Sequence, residues 1–576
     1  MTTPTVTPHE ATAHASIWTH DLGLSVRDKG NTRHLLRGVS FGLEPGRFVA
    51  VIGSSGCGKS TLIKVLAGVQ PSTEGHVLLA GHQVETLRER FPLSLGYLPQ
   101  FASFHEELTV REIIADALAL RLPGSVPAAA RQRWSNHLVE LAGLRPLLDQ
   151  RYGTLSGGQR RRIALAEQLV GDPPFLFLDE LTSGLDAHSD LEMMRWLRRL
   201  AHEHGKTIVL VTHSVKNLPL CDSILYLHRG QLLFHGDYRS LLEVHGAEQI
   251  ESVLSLYEEM TPEQLGAQAT VYQREEPAPP QQPQPLKTAQ PPGGLSQLAT
   301  LARRQWRLLI RDRGTLWLQA CLILSFPALV AVFAMDGLPQ VRRLGLALET
   351  NIVTTLQEQL LYLKESFQAA SLVSGLAMFQ VILLCLMGAN NGAREIAKED
   401  HVLRKELRAG LSPLAYVLTK VSLVLAFSLA QAFWMAWFVK AVCGFPGSFS
   451  GQFLVLFAAT AALSVTCLAI SAGARTPERA SLLAIYLVGL QLPLSGAVLA
   501  LPELLSWLCR PFIAAYWGWS GYLRTLASYR QYDIVKQSTD TTIAGYELCL
   551  LLLGLHILLG ALLALWMTHR KLRAGL

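Results

Sequence analysis

The sequence predicts an α/β phosphate-binding domain followed by an all-α membrane domain, and three observations carry that expectation. "FVAVIGSSGCGKSTLIKVLAG" reads strand, glycine loop, helix. Beyond residue 315, apolar runs long enough to cross a bilayer recur. Between the two lies "PAPPQQPQPLKTAQPPGG", Pro277 to Gly294, which has no apolar periodicity and reads as an extended tether. At 576 residues the chain has room for several domains, with 49% hydrophobic and only 17% charged residues. After Thr300 there are 24 Lys and Arg against 14 Asp and Glu; before it, 27 against 31. The basic excess therefore belongs to the apolar half, which suits positive cytoplasmic loops better than nucleic-acid binding. The eight Cys are scattered without CxxC or a Cys/His cluster, so neither a metal cluster nor a disulfide framework is expected. "MTTPTVTPHEATAHAS" shows no apolar core of a signal peptide, and the first half is expected in the cytoplasm.

Residues 1–15 read as a tail, 16–250 as the phosphate-binding domain and 251–276 as its extension. In the glycine loop, Gly53, Gly58, Lys59 and Ser60 satisfy G-x-x-x-x-G-K-[ST], with Ser54, Ser55, Gly56 and Cys57 between them and Thr61 after. Backbone N–H groups of such a loop curl around phosphate oxygens, and the following helix N-terminus adds favourable partial charge. Lys59 would reach the β- and γ-phosphates and the Ser60 hydroxyl would ligate Mg²⁺. Cys57 reads first as a small residue that tolerates the turn, and second as a redox-sensitive thiol. Further on, "PFLFLDE" is an apolar strand ending in Asp179, placed for Mg²⁺, and Glu180, placed to polarise a water.

"LSGGQRRRIALAEQL" from Leu155, "GYLPQ", "SGLD" and "VLVTHS" follow in an order that resembles the ATP-binding cassette ATPases over residues 15 to 245. The resemblance implies an α/β P-loop ATPase cassette with a signature helical subdomain, using ATP and Mg²⁺. It makes Gln100 the Q-loop residue and a further Mg²⁺ ligand, Asp186 the D-loop acid, Glu180 the catalytic base and His213 the switch histidine. It also implies that Ser156, Gly157, Gly158 and Gln159 complete the site of a second cassette. In that family an aromatic residue usually stacks on adenine just after the first strand. Val26 stands there, with Arg27 as an alternative stacking group, so weak selection between purine nucleotides is expected.

Residues 295–314, "LSQLATLARRQWRLLIRDRG" (Leu295 to Gly314), place Leu298, Leu301, Leu308 and Leu309 near one face among arginines, as an interfacial helix would. Within 315–576 six spans are expected: Thr315–Ala334, Ala369–Ala389, Val421–Val439, Phe453–Ala472, Ala480–Leu501 and Tyr546–Met567. Arg303 to Arg313, Arg394 to Arg408, Arg475 with Arg479, and Arg570 to Arg573 mark the cytoplasmic segments, leaving 335–368, 440–452 and 502–545 outside. "AREIAKEDHVLRKELRAGL" carries Ala393, Ile396, Leu403 and Leu407 as a narrow apolar stripe, as in a helix docked on protein. Gln380, Gln431, Gln491 and His556 are polar within spans, His556 expected neutral in an interhelical hydrogen bond. Trp517 and Trp519 read as anchors at the outer interface.

Cassette first, six spans second and "KEDHVLRKELRAGLSPLAYVLTK" between the second and third spans resemble the G subfamily of ABC transporters, half-transporters that work as dimers. That resemblance implies an inner-membrane protein with both termini cytoplasmic, paired with a second copy or a similar chain among membrane lipid. It implies coupling through the charged connection (Glu395, Glu399, Glu406) and a seam carrying Gln380 and Gln491. An exporter of a small amphipathic or lipid-like substrate is expected, with no nucleic-acid partner. A regulator that signals to an outer partner without moving cargo is the alternative class.

Overall fold

A run of four or five apolar residues can be buried on both faces only inside a sheet covered on each side, and the cassette half contains three strands with such runs. They are β3 (Phe48–Ile52), β7 (Phe175–Asp179) and β8 (Thr207–Val211), every residue of each buried. The computed structural model describes residues 17–28, 31–259, 283, 290–334, 352–498 and 500–573. Residues 1–16, 260–276 and most of the predicted tether Pro277–Gly294 lie outside the described residues. The chain divides into two units. The first comprises Met1–Thr300, Arg404–Leu411 and Leu572–Leu576; the second comprises Leu301–Leu403 and Ser412–Lys571.

In the first unit, β6 (Leu95–Leu98), β7, β8, β3 and β9 (Ser223–His228) pair in parallel, and β10 (Gln231–Gly236) closes the edge antiparallel to β9. A second, antiparallel sheet runs in the order β2 (Asn31–Leu43), β1 (Ile17–Asp28), β4 (Glu74–Leu79), β5 (His82–Gln83). The parallel order puts β8 between β3 and β7, so the C-terminal ends of all three strands gather at one edge. Helix α1 (Lys59–Leu66) leaves that edge after the glycine loop, and α2 (Val84–Arg90) follows β5. The helices α3 (Val110–Arg121), α4 (Ala128–Leu141) and α5 (Gly157–Leu169) form the helical subdomain that precedes β7. Ser156 caps α5 through Gln159 N–H, and the Gln159 side chain accepts from Ser156 N–H. This reciprocal cap satisfies two otherwise orphaned donors.

Among the described residues of the second unit, five helices are long and apolar enough to cross a membrane. Their cores lie in Arg313–Phe333, Ile352–Gly392, Pro413–Cys443, Phe449–Gly473 and Tyr546–Arg573. The predicted fifth span, Ala480–Leu501, is instead the 18-residue helix Pro477–Leu494, which falls short of that standard. Its run is cut near Pro493, where a backbone donor is missing. The predicted span Ala369–Ala389 begins 17 residues earlier, at Ile352, inside the segment expected to be an outer loop. Trp517 and Trp519 are not interfacial anchors. Both are buried on the helix Ala514–Arg524, and Trp519 Nε1 donates to Ser374 Oγ at 3.1 Å.

Two of these helices touch backbone to backbone. In "GANNG" a Cβ at Gly392 would stand 2.1 Å from the Ser464 carbonyl oxygen, and one at Gly388 would stand 2.7 Å from that of Thr460. Small residues four apart permit this approach, as in other apolar helix pairs. Asn391, beside that contact, closes a buried amide ring over three helices. Gln319 Nε2 donates to Asn391 Oδ1 (3.0 Å), Asn391 Nδ2 to Gln431 Oε1 (2.8 Å) and Gln431 Nε2 to Gln319 Oε1 (2.9 Å). Asn391→Leu should leave Gln319 Nε2 and Gln431 Oε1 buried without that partner, at about 1–3 kcal/mol each. The expected result is a clear drop in the unfolding temperature of the detergent-solubilised chain, which a Gln319→Leu/Asn391→Leu/Gln431→Leu variant partly restores.

Candidate nucleotide site

Gly53 opens the loop with φ of 147°, and a Cβ there would meet the Leu227 carbonyl oxygen at 2.0 Å. Only glycine lets β3 leave the sheet this way. Lys59 Nζ donates to the carbonyls of Gly53 and Ser54, each at 2.8 Å, so the ammonium is held across the loop. Ser54, Ser55 and Gly56 form the bend, and Thr61 follows Ser60 in the first turn of α1. Cys57 is buried, with 4% exposure. Burial pushes its thiol above the usual range, against the pull of Lys59, whose Nζ is 4.0 Å away. The turn-tolerating role of Cys57 is thus favoured over the redox one.

At the same edge Ser60 Oγ donates to Asp179 Oδ1 at 2.9 Å. Burial raises the Asp179 carboxyl pKa, and the Ser60 bond opposes the rise. A buried acid beside a hydroxyl, both hard oxygen donors, fits a Mg²⁺ that takes its remaining ligands from phosphate and water. Such an ion would supply charge neutralisation at the phosphates. Gln100 is placed differently from its expected metal role. Its Nε2 donates to Glu180 Oε2 at 2.6 Å.

Glu180 receives a second contact, His213 Nε2 to Oε1 at 3.1 Å. The strands explain the meeting: β7 ends at Asp179 and β8, its neighbour, ends at Val211, two residues before His213. Glu180 N–H donates to Val211 O at 3.0 Å and holds the residue at φ of 53°. A non-glycine residue in the left-handed region is uncommon, and such strain collects at functional sites. The carboxylate is therefore oriented from both sides, a geometry suited to accepting a proton from water. Asp186 caps α6 (Ala187–His202) through the N–H groups of His188 and Ser189. Ser156, Gly157, Gly158 and Gln159 start α5 and have no hydrogen bond or ion pair to the loop among those described.

The predicted coupling acids separate. Glu395 and Glu399 lie in the second unit, where Lys420 Nζ stands 3.5 and 2.8 Å from them and Tyr416 OH donates to Glu399. Glu406 belongs to the first unit, in the segment Arg404–Leu411. There the buried contact is made by the neighbouring base, Lys405, which sequence reading counted only as a topology charge. Its Nζ lies 3.2 Å from Glu167 Oε2 and 3.4 Å from the Phe104 ring centroid, and donates to Ser103 O at 3.1 Å. Glu167 is also 2.7 Å from Arg121 Nη2. Gln380 and Gln491, predicted along a substrate seam, are buried inside the second unit. Gln380 Nε2 donates to Leu376 O, and Gln491 Oε1 accepts from Ala515 N–H. His556 bonds the carbonyl of Leu552 on its own helix, not a neighbouring one.

Residues 36–183 match the family described as ABC transporter, and residues 296–516 that described as ABC-2 type transporter. The chain is 31% identical over 526 residues to the ABC transporter ATP-binding/permease protein Rv1747 of Mycobacterium tuberculosis, covering 87% of this chain and 56% of that one. It thus spans little more than half of that relative's length. An ABC transporter ATP-binding protein of Thermotoga maritima is 36% identical over 202 residues, 34% of this chain and 85% of that one. ABC transporter G family member 28 of Arabidopsis thaliana is 36% identical over 219 residues, 36% of this chain and 20% of that one. With the glycine loop, the Asp179–Glu180 pair and an ABC-2 membrane region on one chain, this protein belongs to the ABC transporter family.

Proposed function

We propose that the chain is an ATP-driven half-transporter that works as a dimer and exports a small amphipathic or lipid-like substrate. The observation that carries the ATPase reading is Glu180, oriented by Gln100 and His213 beside the Asp179–Ser60 pair. Among the described residues the signature residues Ser156 to Gln159 make no hydrogen bond or ion pair to the loop of their own chain, which is compatible with completion of each site by a second copy. Lys59 and the loop N–H groups would hold the triphosphate, and Asp179 and Ser60 would hold Mg²⁺. Glu180 would take the proton of the attacking water, and His213 would keep its carboxylate aimed.

The five long apolar helices support a multi-pass membrane protein. The arginine and lysine placement supports a cytoplasmic cassette and termini, in a bacterial inner membrane. Lipid and an amphipathic substrate are the partners that fit this setting.

The test is reconstitution of the chain in liposomes with fluorescent lipids and drugs on one side. ATP-dependent accumulation on the side away from the cassette is expected. ATP hydrolysis that no panel member stimulates, with no movement of any of them, would overturn the exporter reading.

A further inference from the structure

We propose that Lys571 is a positioning residue for the charged connection. Its ion pair with Asp400 ties the last apolar helix, Tyr546–Arg573, to that segment, so that a tilt of the helix bears on ATP hydrolysis. The inference rests on the ATPase reading above and goes beyond it. Lys571 Nζ donates to Asp400 Oδ1 at 2.6 Å, and the two side chains are only 9% and 13% exposed. Asp400 opens the helix Asp400–Arg408, whose residues from Arg404 onward belong to the first unit. The pair therefore stands about one helical turn before the chain passes from the second unit to the first.

Contacts to three other helices hold the same connection, and those helices are packed together. The N–H groups of Ile396 and Ala397 both donate to Ser471 Oγ, at 3.1 and 3.0 Å, on Phe449–Gly473. Arg394 Nε donates to Ser481 Oγ at 2.6 Å on Pro477–Leu494. Lys420 Nζ, on Pro413–Cys443, stands 2.8 Å from Glu399. The three helices share one buried cluster, to which they contribute Leu456, Ala484 and Met435. Contacts within one packed body fix the connection in place. A contact to an element that can shift against that body can also move it.

Tyr546–Arg573 is such an element. At the end away from Lys571, Cys549 and Leu553 enter the same cluster, and Tyr546 OH donates to Gly451 O at 3.2 Å. Further along, its packed side meets Phe449–Gly473, where a Cβ on Gly560 would stand 3.1 Å from Val465 Cγ1. Leu551, Leu555, Leu558, Leu562 and Trp566 on this helix are all at least 44% exposed, an apolar side turned to lipid. The apolar stretch from Leu548 to Met567 is about 20 residues, roughly 30 Å, which matches a hydrocarbon core. In a thinner or thicker bilayer a helix of that length changes its tilt. Pinned at the Tyr546 end, it moves at the Lys571 end, and the ion pair passes the shift to Asp400.

The experiment measures ATP hydrolysis by the full chain in detergent and in monounsaturated phosphatidylcholine vesicles with acyl chains of about 14 to about 22 carbons. The parent rate is expected to vary by about threefold or more across the vesicles. Lys571→Gln should vary by less than about 1.5-fold, with its rate in detergent and its KM for ATP unchanged. Lys571→Arg should keep the parent's dependence, because charge and reach are retained. Lys571→Gln/Asp400→Asn should match Lys571→Gln, since the two residues act on each other. The double variant leaves neither charge of the pair behind, so it keeps the test open if Lys571→Gln fails to fold. A Lys571→Gln rate lowered by one factor in detergent and in every bilayer would make the pair a structural staple and overturn the inference. So would a Lys571→Gln chain as sensitive to thickness as the parent, a Lys571→Arg chain that loses the dependence, or a parent indifferent to thickness. The ATPase reading fails separately, if the parent hydrolyses no ATP in any of these settings.

Discussion

Glu180→Gln is expected to slow steady-state ATP hydrolysis by roughly 10²–10⁴-fold while leaving nucleotide binding intact, since that is what a positioned general base contributes. The substitution keeps the shape and the left-handed backbone of the residue. It removes the charge and gives one of the two positions a donor where an acceptor is needed. The Gln100 amide can turn its oxygen toward that donor, so folding should survive. The phosphate contacts of Lys59 and the Asp179–Ser60 pair do not involve the Glu180 side chain. Binding and turnover should therefore come apart. Released phosphate and retained radiolabelled ATP, measured on the same sample, check this directly. Hydrolysis within a fewfold of the parent would remove Glu180 from the role of base. His213→Ala should fall between the two, because it loosens the carboxylate without removing it.

The second large effect is expected at Lys405. Its ammonium is buried between Glu167, the Ser103 carbonyl and the Phe104 ring, all within the first unit. Breaking a buried ion pair costs roughly 3–5 kcal/mol, and the surviving Arg121–Glu167 contact places this case toward the lower end. Lys405 sits in the charged connection that sequence resemblance linked to coupling, and it makes the packed ion pair there. Lys405→Met should keep basal hydrolysis and lose most of the stimulation by amphipathic lipids or drugs, read in the reconstituted full chain. Lys405→Met/Glu167→Gln should lose no more than the single variant, since two residues acting on each other are not additive. A Lys405→Met chain stimulated like the parent would move coupling elsewhere. Reversing Glu399, by contrast, would set a lysine against Lys420 at a buried site, so its failure would report folding.

The phosphate site was legible in the sequence because its parts are short and local. Six residues from Gly53 to Gly58 dictate a loop conformation, and an apolar strand ending in Asp179–Glu180 dictates where two acids emerge. The amphipathic stripe of Ala393, Ile396, Leu403 and Leu407 was legible for the same reason, and all four are buried. The spacing of "GANNG" held a readable sign of close helix packing that the polar residues around it concealed.

What the sequence by itself determined is therefore the chemistry that adjacent residues make together: the glycine loop, the acid pair, the apolar helices and the family they mark. Tertiary structure alone decided the pairings across distance. Lys405 meets Glu167, Asn391 meets Gln319 and Gln431, and Lys571 meets Asp400. The reason is geometric. A strand reverses its face with every residue, and a helix turns its side chains by about 100° per residue. An uncertainty of one position in register or rotation, harmless to a local motif, sends a side chain to a different neighbour. Only the packed fold, with register and rotation both settled, fixes which distant groups touch.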